Sequence, residues 1–155
     1  MLEYPSNYII TSGSGASIWR LVAFDNALAS AGLSNYNLLK VTSILPAGCK
    51  EQSKIQLKEG SAVLTAFSTI ASNTPGDRIS AAVAVGIPED ERNVGIIMEY
   101  SCHDSSLTAE LAVKEMVYES MSNHRISCKE IKSKSAEATV MEGRYTSVVA
   151  ALAFW

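Results

Sequence analysis

The segment NYNLLKVTSILP, residues 35–46, is the most informative part of this 155-residue chain. Its apolar residues predict a strand from about Tyr36 to Leu45, which Pro46 ends because proline has no backbone N–H to donate. Alternation along such a strand puts Ser43 on the same face as Asn37. Taken alone, Ser43 is best explained as a strand-end hydroxyl bonded to backbone, and Asn37 as an amide that satisfies its own turn.

Composition predicts a single globular domain over residues 1–155. Hydrophobic residues make up 47% of the chain and charged residues 19%. The net charge of −3, without a basic cluster, disfavours nucleic acid as a partner. The three cysteines lack CxxC spacing, which disfavours a disulfide framework or a metal site and favours a cytoplasmic location. The N-terminus does not resemble a signal peptide, and no apolar run is a clear membrane span.

Hydrophobic periodicity predicts two helices and several strands. Residues 11–15 read as a flexible loop, after which Ser17 caps a helix that begins near Ile18 and stops at Gly32. The predicted buried stripe of this helix is Leu21, Leu28 and Ala31. The predicted buried stripe of the second helix is Ala109, Ala112, Val113, Met116, Val117 and Ser120. The predicted strands cover residues 36–45, 61–71, 78–87, 93–102, 126–140 and 145–155. Several strands are apolar on both faces, which indicates an α+β fold with two stacked sheets and helices outside them.

Two carboxylates stand in unusual places within these elements. Asp25 has helical spacing to Leu21 and Leu28, so the pattern puts it on the predicted buried side, where an unpaired carboxylate is costly. Asp25 is then either an anion awaiting a cationic ligand or a helix-edge residue that turns to water. Glu99 shares a strand face with Ile97, where burial would raise its pKa and suit it to donating a proton. The alternative is that Glu99 marks the point where the strand leaves the core.

Several segments, in order and with compatible spacing, resemble the pyruvoyl-dependent arginine decarboxylase family over nearly the whole chain. The matching segments are Ala23–Leu28, Asn35–Leu38, Thr42–Pro46, Pro75–Gly76, Ile79–Ala82, Gly95–Tyr100 and the alanine-rich aromatic ending at residues 150–155. The resemblance implies a four-layer α-β-β-α sandwich with two stacked, mainly antiparallel sheets. It also implies homotrimers or dimers of trimers, with active sites between subunits.

The resemblance further implies that the chain cuts itself between Thr42 and Ser43. The Ser43 hydroxyl attacks the Thr42 carbonyl in an N-to-O acyl shift, and elimination then leaves chains 1–42 and 43–155. In this reaction Ser43 becomes a covalent pyruvoyl group, the cofactor of the family. Asn37 would assist by polarising the carbonyl of the scissile bond.

The implied activity is decarboxylation of L-arginine to agmatine and carbon dioxide, with the pyruvoyl group accepting the electrons left behind. Glu99 would return a proton to the former α-carbon, and Asp25 would bind the guanidinium group. Leu28 and Ile44 would line the pocket. Two alternatives stay open: a pyruvoyl enzyme for another basic amino acid, and an unprocessed, catalytically silent homo-oligomer. The physiological role, polyamine synthesis or acid resistance, is left open as well.

Overall fold

A computed structural model describes residues 3–155 of the chain. Met1 and Leu2, the start of the segment judged unlike a signal peptide, lie outside the described residues. Within residues 3–155 the chain forms nine strands and two helices. These are β1 (Asn7–Ser17), α1 (Arg20–Ser30), β2 (Asn37–Lys40), β3 (Ile44–Leu45), β4 (Lys50–Glu51), β5 (Ala62–Ser72), β6 (Arg78–Pro88), β7 (Gly95–Cys102), α2 (Ser106–Asn123), β8 (Cys128–Thr139) and β9 (Tyr145–Phe154).

The strands form two sheets. The five-stranded sheet has the order β2-β5-β9-β1-β4, and the four-stranded sheet has the order β3-β7-β6-β8. Only the β1–β4 and β2–β5 pairs in the described chain are parallel, so both sheets are mainly antiparallel. The predicted α+β class is therefore confirmed. Neither helix of the described chain has the length and apolar character needed to cross a membrane.

Three hydrophobic clusters hold these elements together. The first contains residues from both sheets, including Ala66, Val83, Ile97 and Leu152. The second contains α1 residues and the five-stranded sheet, and the third contains α2 residues and the four-stranded sheet. Strands β6 and β9 are buried along almost their whole length because they contribute to two clusters at once. This explains why their sequences are apolar on both faces.

The second helix and most strands follow the sequence pattern. One predicted member of the buried stripe of α2 is wrong: Met116 is 36% exposed, because the buried line runs through every fourth residue and ends at Met121. Ser105 caps α2, its hydroxyl accepting a hydrogen bond from the Thr108 N–H at 3.2 Å. The fully buried positions of α2 are Ala109, Val113, Val117 and Met121, one residue every turn. The predicted strands at 61–71, 78–87, 93–102 and 145–155 correspond to β5, β6, β7 and β9. The predicted strand at residues 126–140 corresponds to β8, which ends the four-stranded sheet.

The loop predicted at residues 11–15 is wrong, because these residues belong to β1. A Cβ atom on Gly13 would lie 2.6 Å from the Ala27 carbonyl oxygen and 2.7 Å from the Ala31 nitrogen, both backbone atoms of the α1 region. The glycines of this segment are therefore needed for close contact between β1 and α1, and not for loop flexibility.

The predicted cap and start of the first helix are also wrong. Ser17 is the last residue of β1, and α1 begins at Arg20 with Trp19 as an N-cap that makes no side-chain cap bond. The Ser17 hydroxyl instead accepts a hydrogen bond from the Trp19 N–H at 3.1 Å, within the turn that joins strand and helix. The predicted stop is correct, since Gly32 has a φ of +76°.

Candidate active site

The predicted strand over residues 36–45 is two strands in different sheets. Lys40, at the end of β2, pairs with Thr65 in the five-stranded sheet, whereas Ile44 of β3 pairs with Ile96 in the four-stranded sheet. The Thr42-Ser43 bond therefore lies where the chain crosses from one sheet to the other. The predicted shared face of Ser43 and Asn37 is wrong, because alternation does not carry through this crossover.

Backbone hydrogen bonds anchor the crossover on both sides. The Val41 N–H donates to the Thr65 carbonyl at 3.1 Å, and the Ile97 N–H donates to the Ser43 carbonyl at 2.7 Å. Between these anchors, within residues 3–155, no hydrogen bond involves the Thr42 carbonyl, the Ser43 amide or the Ser43 hydroxyl. The Thr42-Ser43 peptide group is therefore held in place through the residues on either side of it, and not by a hydrogen bond of its own in the described chain.

Ser43 and Glu99 lie on the same face of the four-stranded sheet. Leu45 and Ile97 belong to the cluster shared by both sheets, so their faces point between the sheets. Ser43 precedes Leu45 by two residues, and Glu99 follows Ile97 by two. The register makes Ile97 the cross-strand neighbour of Ser43 and Glu99 its diagonal neighbour, a relation that spans about 7–8 Å.

The environment of Glu99 matches the sequence expectation. The side chain is half-buried, and this burial raises the pKa of Glu99, while the positive charge of Lys40 lowers that pKa in part. The two sheets touch beside it, since the Ser68 hydroxyl donates to the Tyr100 carbonyl at 3.0 Å. A half-buried acid that faces Ser43 is suited to hold a proton for delivery to a group bound there.

Sequence reasoning missed Lys40, whose charge acts on Glu99, and the two aromatic side chains that it adjoins on the α1 side of the five-stranded sheet. The Lys40 Nζ lies 4.8 Å from the centre of the Phe67 ring, and Phe67 stacks against Phe24 of α1 with ring centroids 6.5 Å apart. The available signal was a lysine ending an apolar strand two residues before Thr42.

Asn37 does not reach the scissile bond in its own protomer. It begins β2, and its side-chain amide donates to the Gly60 carbonyl at 2.9 Å. Five residues of extended chain separate it from Thr42, a span of roughly 16 Å.

Asp25 is exposed, so its predicted place on a buried stripe is wrong. The buried residues of α1 are Ala23 and Ala27, and Asp25, midway between them, lies on the opposite side of the helix. Leu21 is 77% exposed, whereas Leu28 is partly buried against the cluster under α1. Within one protomer, Asp25 turns to water, which was the simpler of the two interpretations.

The structure thus brings Thr42, Ser43 and Glu99 together in one protomer, while Asn37 and the α1 residues Asp25 and Leu28 lie elsewhere. Ile44 adjoins Ser43 in sequence but alternates to the other face, where it is 39% exposed. A cavity of about 130 Å³ beyond β3 and one of about 360 Å³ beside α1 are not lined by Ser43 or Glu99.

Comparisons with known proteins cover almost the whole chain. The family model described as "Pyruvoyl-dependent arginine decarboxylase (PvlArgDC)" matches residues 7–155. The pyruvoyl-dependent arginine decarboxylase of Methanocaldococcus jannaschii is 40% identical over 114 residues, 74% of this chain and 69% of that protein. The one from Pyrococcus furiosus is 35% identical over 152 residues, 97% of this chain and 96% of that protein. The one from Methanococcus vannielii is 33% identical over 138 residues, 89% of this chain and 84% of that protein.

Proposed function

The chain belongs to the pyruvoyl-dependent arginine decarboxylase family, and we propose that it cleaves itself at Thr42-Ser43 and then converts L-arginine to agmatine and carbon dioxide. The observation that carries the proposal is the position of this peptide bond. It occupies the crossover between two sheets, free of ladder hydrogen bonds in the described chain, with Glu99 on the same face.

Self-cleavage forms and breaks bonds only at Thr42 and Ser43, with water as the co-reactant of the last step. The Ser43 hydroxyl oxygen bonds to the Thr42 carbonyl carbon, the bond from that carbon to the Ser43 nitrogen breaks, and the nitrogen takes up a proton. The resulting ester loses the Thr42 carboxylate by elimination across the Cα–Cβ bond of residue 43. Hydrolysis then replaces the nitrogen by oxygen and releases ammonia. Support comes from the Thr42 carbonyl oxygen, which accepts no hydrogen bond in the described chain and is therefore free to accept one from a polarising donor.

The residues around Ser43 fit a pyruvoyl group at this position. Ser43 is half-buried, its carbonyl is held by the Ile97 N–H, and the neighbouring side chains toward the core are apolar. When present, the group supplies an electron sink for loss of carbon dioxide. Glu99 holds a proton on the same face and delivers it to the former α-carbon of the substrate. The burial that raises the pKa of Glu99 favours its protonated form closer to neutral pH.

We propose that a second copy completes the site, as a homotrimer or a dimer of trimers. Asp25 points away from its own sheet and can bind a guanidinium group only at the Ser43 of a neighbouring copy. The chain beside Asp25 carries exposed apolar side chains, with Trp19 67% and Leu21 77% exposed. Leu39 and Tyr100, near the crossover, are 46% and 36% exposed, which suits burial against another copy.

The remaining predicted roles depend on the same assembly. Leu28 and Ile44 would line the arginine pocket from the two sides of this interface. Asn37 would polarise the Thr42 carbonyl of a neighbouring copy, because it does not reach the bond in its own protomer. Each copy would be one four-layer α-β-β-α domain over residues 1–155, cut into 1–42 and 43–155. A cytoplasmic location is supported by the three cysteines, which are all free.

Denaturing gels and intact mass spectrometry of the purified protein test this proposal. We expect chains 1–42 and 43–155, the second with a mass that reports loss of the amino group and gain of a keto oxygen at residue 43. Ser43→Ala should stay a single chain, because no hydroxyl starts the acyl shift. Thr42→Ser is the matched control and should still cleave, since the attacked carbonyl is unchanged.

The products then separate the candidate functions. Carbon dioxide release from arginine, exceeding that from lysine or ornithine, supports arginine decarboxylation. Preference for another of these amino acids would retain the pyruvoyl chemistry and overturn the substrate. An intact, unmodified wild-type chain after prolonged incubation would favour the silent homo-oligomer.

A further inference from the structure

The carbonyl group of Ser43 is held by a short, buried hydrogen bond. The backbone N–H of Ile97 donates to the Ser43 carbonyl oxygen at 2.7 Å, the short end of the usual range for N–H···O bonds. Ile97 is fully buried, so water does not compete for this bond, and the low-dielectric surroundings strengthen it. The bond extends the β3–β7 ladder by one residue, because Ile44 pairs with Ile96.

The two ends of residue 43 have different surroundings. Its carbonyl end is anchored to β7, whereas its nitrogen and its hydroxyl oxygen make no hydrogen bond within residues 3–155. Every bond that changes in the proposed reactions lies on the nitrogen and side-chain side of residue 43. The Ile97 N–H can therefore keep its contact with the same oxygen before, during and after self-cleavage.

Gly95 allows β3 to lie this close to β7. It pairs with Leu45, and a Cβ atom on Gly95 would lie 3.2 Å from the Leu45 Cβ and 3.0 Å from the Gly86 carbonyl oxygen. Both distances are shorter than comfortable contacts, so a larger residue would push a neighbouring strand away from β7. The glycine therefore supports the short bond between Ile97 and Ser43.

Negative charge develops beside the Ser43 carbonyl in both proposed reactions. In the elimination step, the Cα–H bond of residue 43 breaks, its proton passes to solvent and its electron pair forms the Cα–Cβ double bond. The Cβ–O bond breaks as the Thr42 carboxylate leaves, and the adjacent carbonyl oxygen takes part of the charge meanwhile. When carbon dioxide leaves the substrate, the released electrons move toward the same oxygen. A hydrogen-bond donor already aimed at such an oxygen lowers the barrier.

We propose that the backbone N–H of Ile97 is a catalytic donor that stabilises this charge in both self-cleavage and decarboxylation. The inference rests on the proposed function, because it needs Ser43 to be the residue that is converted. In this assignment Glu99 holds the proton, and Ile97, two residues earlier on β7, stabilises the negative charge. The competing explanation is that the Ile97 bond only ends the β3–β7 ladder.

Selective labelling makes the bond visible in the processed protein. With ¹³C in the serine carbonyls and ¹⁵N in isoleucine, an HNCO spectrum shows only isoleucines that follow serine. The chain has two such pairs, at residues 17–18 and 43–44, and Ser43→Ala removes the second signal. The labelled carbonyl carbon stays in place when residue 43 is converted. We expect the ¹⁵N of Ile97 to couple to it through the hydrogen bond.

An ester at residue 97 removes the donor with little change in shape. The α-hydroxy acid that carries the isoleucine side chain replaces Ile97, so that an oxygen takes the place of the N–H. The same replacement at Ile96 is the matched control, because its N–H points the other way, toward β6. We expect the carbonyl signal of residue 43 to move to lower ppm in the Ile97 ester only, while the signal of residue 17 stays in place in both.

The same two esters are then compared in the reactions. Self-cleavage should be slower in the Ile97 ester than in the Ile96 ester. After cleavage is complete, kcat for arginine should fall about 10²–10³-fold in the Ile97 ester with little change in KM, the usual cost of removing one such donor. The Ile96 ester should react at nearly the wild-type rate. An Ile97 ester that never cleaves, beside an Ile96 ester that does, supports the role in the first reaction.

Gly95→Ala tests the same bond by ordinary mutagenesis if the Ile97 ester does not fold or does not cleave. Its methyl group crowds Leu45, so the coupling between Ile97 and residue 43 should weaken and kcat should fall. A weaker coupling with the wild-type kcat would overturn the role of Ile97 in decarboxylation.

Three further results would overturn the proposal: no coupling between Ile97 and residue 43 in processed protein, an unchanged carbonyl signal of residue 43 in the Ile97 ester, or equal turnover in the Ile97 and Ile96 esters. These results leave the proposed function intact, because the wild-type chain would still cleave itself and release carbon dioxide. Failure of the proposed function is detected separately, by a wild-type chain that stays intact or releases no carbon dioxide from arginine.

Discussion

Replacing Gly13 with alanine should force α1 away from β1 and weaken the fold. The added methyl group would lie 2.6 Å from the Ala27 carbonyl oxygen and 2.7 Å from the Ala31 nitrogen. Comfortable contacts between carbon atoms are about 3.5–4.0 Å, so strand and helix must separate by roughly 1 Å. Both contacted atoms are backbone and cannot rotate away as a side chain would.

The magnitude follows from two opposing effects. Overpacking a close contact costs about 1–3 kcal/mol. Alanine restricts the unfolded chain more than glycine, which returns about 0.4–1 kcal/mol because the φ of Gly13 does not require glycine. The expected net loss is about 1–2 kcal/mol, or a fall in Tm of about 2–8 °C for a domain of this size.

Urea and thermal unfolding at one fixed protein concentration measure this loss. Ser14→Ala is the matched control, since it changes the exposed neighbour of Gly13 on the same strand. Because α1 carries Asp25, Gly13→Ala should also raise KM for arginine while self-cleavage at Ser43 continues. A Gly13→Ala protein as stable as Ser14→Ala would refute the close-contact explanation. Loss of cleavage with normal stability would refute the separation between α1 and the crossover.

Three further predictions concern ionisable groups. In cleaved Glu99→Gln protein, kcat for arginine should fall strongly while KM changes little, because the amide keeps the shape of the side chain but cannot donate the proton. A wild-type rate would exclude Glu99 as the acid. Asp25→Asn should still be processed, but the ratio of kcat/KM for arginine over citrulline should fall about 10–150-fold, the equivalent of roughly 1.5–3 kcal/mol; an unchanged ratio would remove Asp25 from the substrate site. Hydrogen bonds from Ser72 and, to a smaller extent, from His103 lower the pKa of Asp77 in the folded protein. Ionised Asp77 therefore stabilises the fold at pH values above its pKa in the unfolded chain, and this stabilisation is lost as the pH falls through its pKa in the folded protein. Asp77→Asn should therefore flatten the fall of Tm in acid, and an equally steep fall in wild type and variant would contradict this.

The elements that could be predicted from the sequence are those with a strong local period. Helix α2 repeats its buried residues every turn and carries its own cap in Ser105, so neither feature needs information from distant residues. Strands β6 and β9 contain long apolar runs, and their burial on two faces could be predicted from those runs. The half-buried state of Glu99 likewise follows from alternation along one strand.

Apart from the Ser17 cap, whose partner Trp19 is local, the main errors concern residues whose partners are distant in the chain. Glycines suggested a loop at residues 11–15 because their contacts with α1 are invisible locally. That close approach admits only small residues, so Ala23 and Ala27 face the sheet and Leu21, the more hydrophobic residue, faces outward with Asp25. Hydrophobicity alone therefore assigned the wrong face of the helix.

The crossover at Thr42-Ser43 was not predicted from the sequence for the same reason. Locally, residues 36–45 read as one strand, and nothing in them indicates a change of sheet. Pairing with Thr65 on one side and Ile96 on the other breaks the run, because each half satisfies its backbone with a different sheet. The serine and the acid could be named from motif order and strand alternation. Their shared face arises only when strands far apart in sequence are packed together.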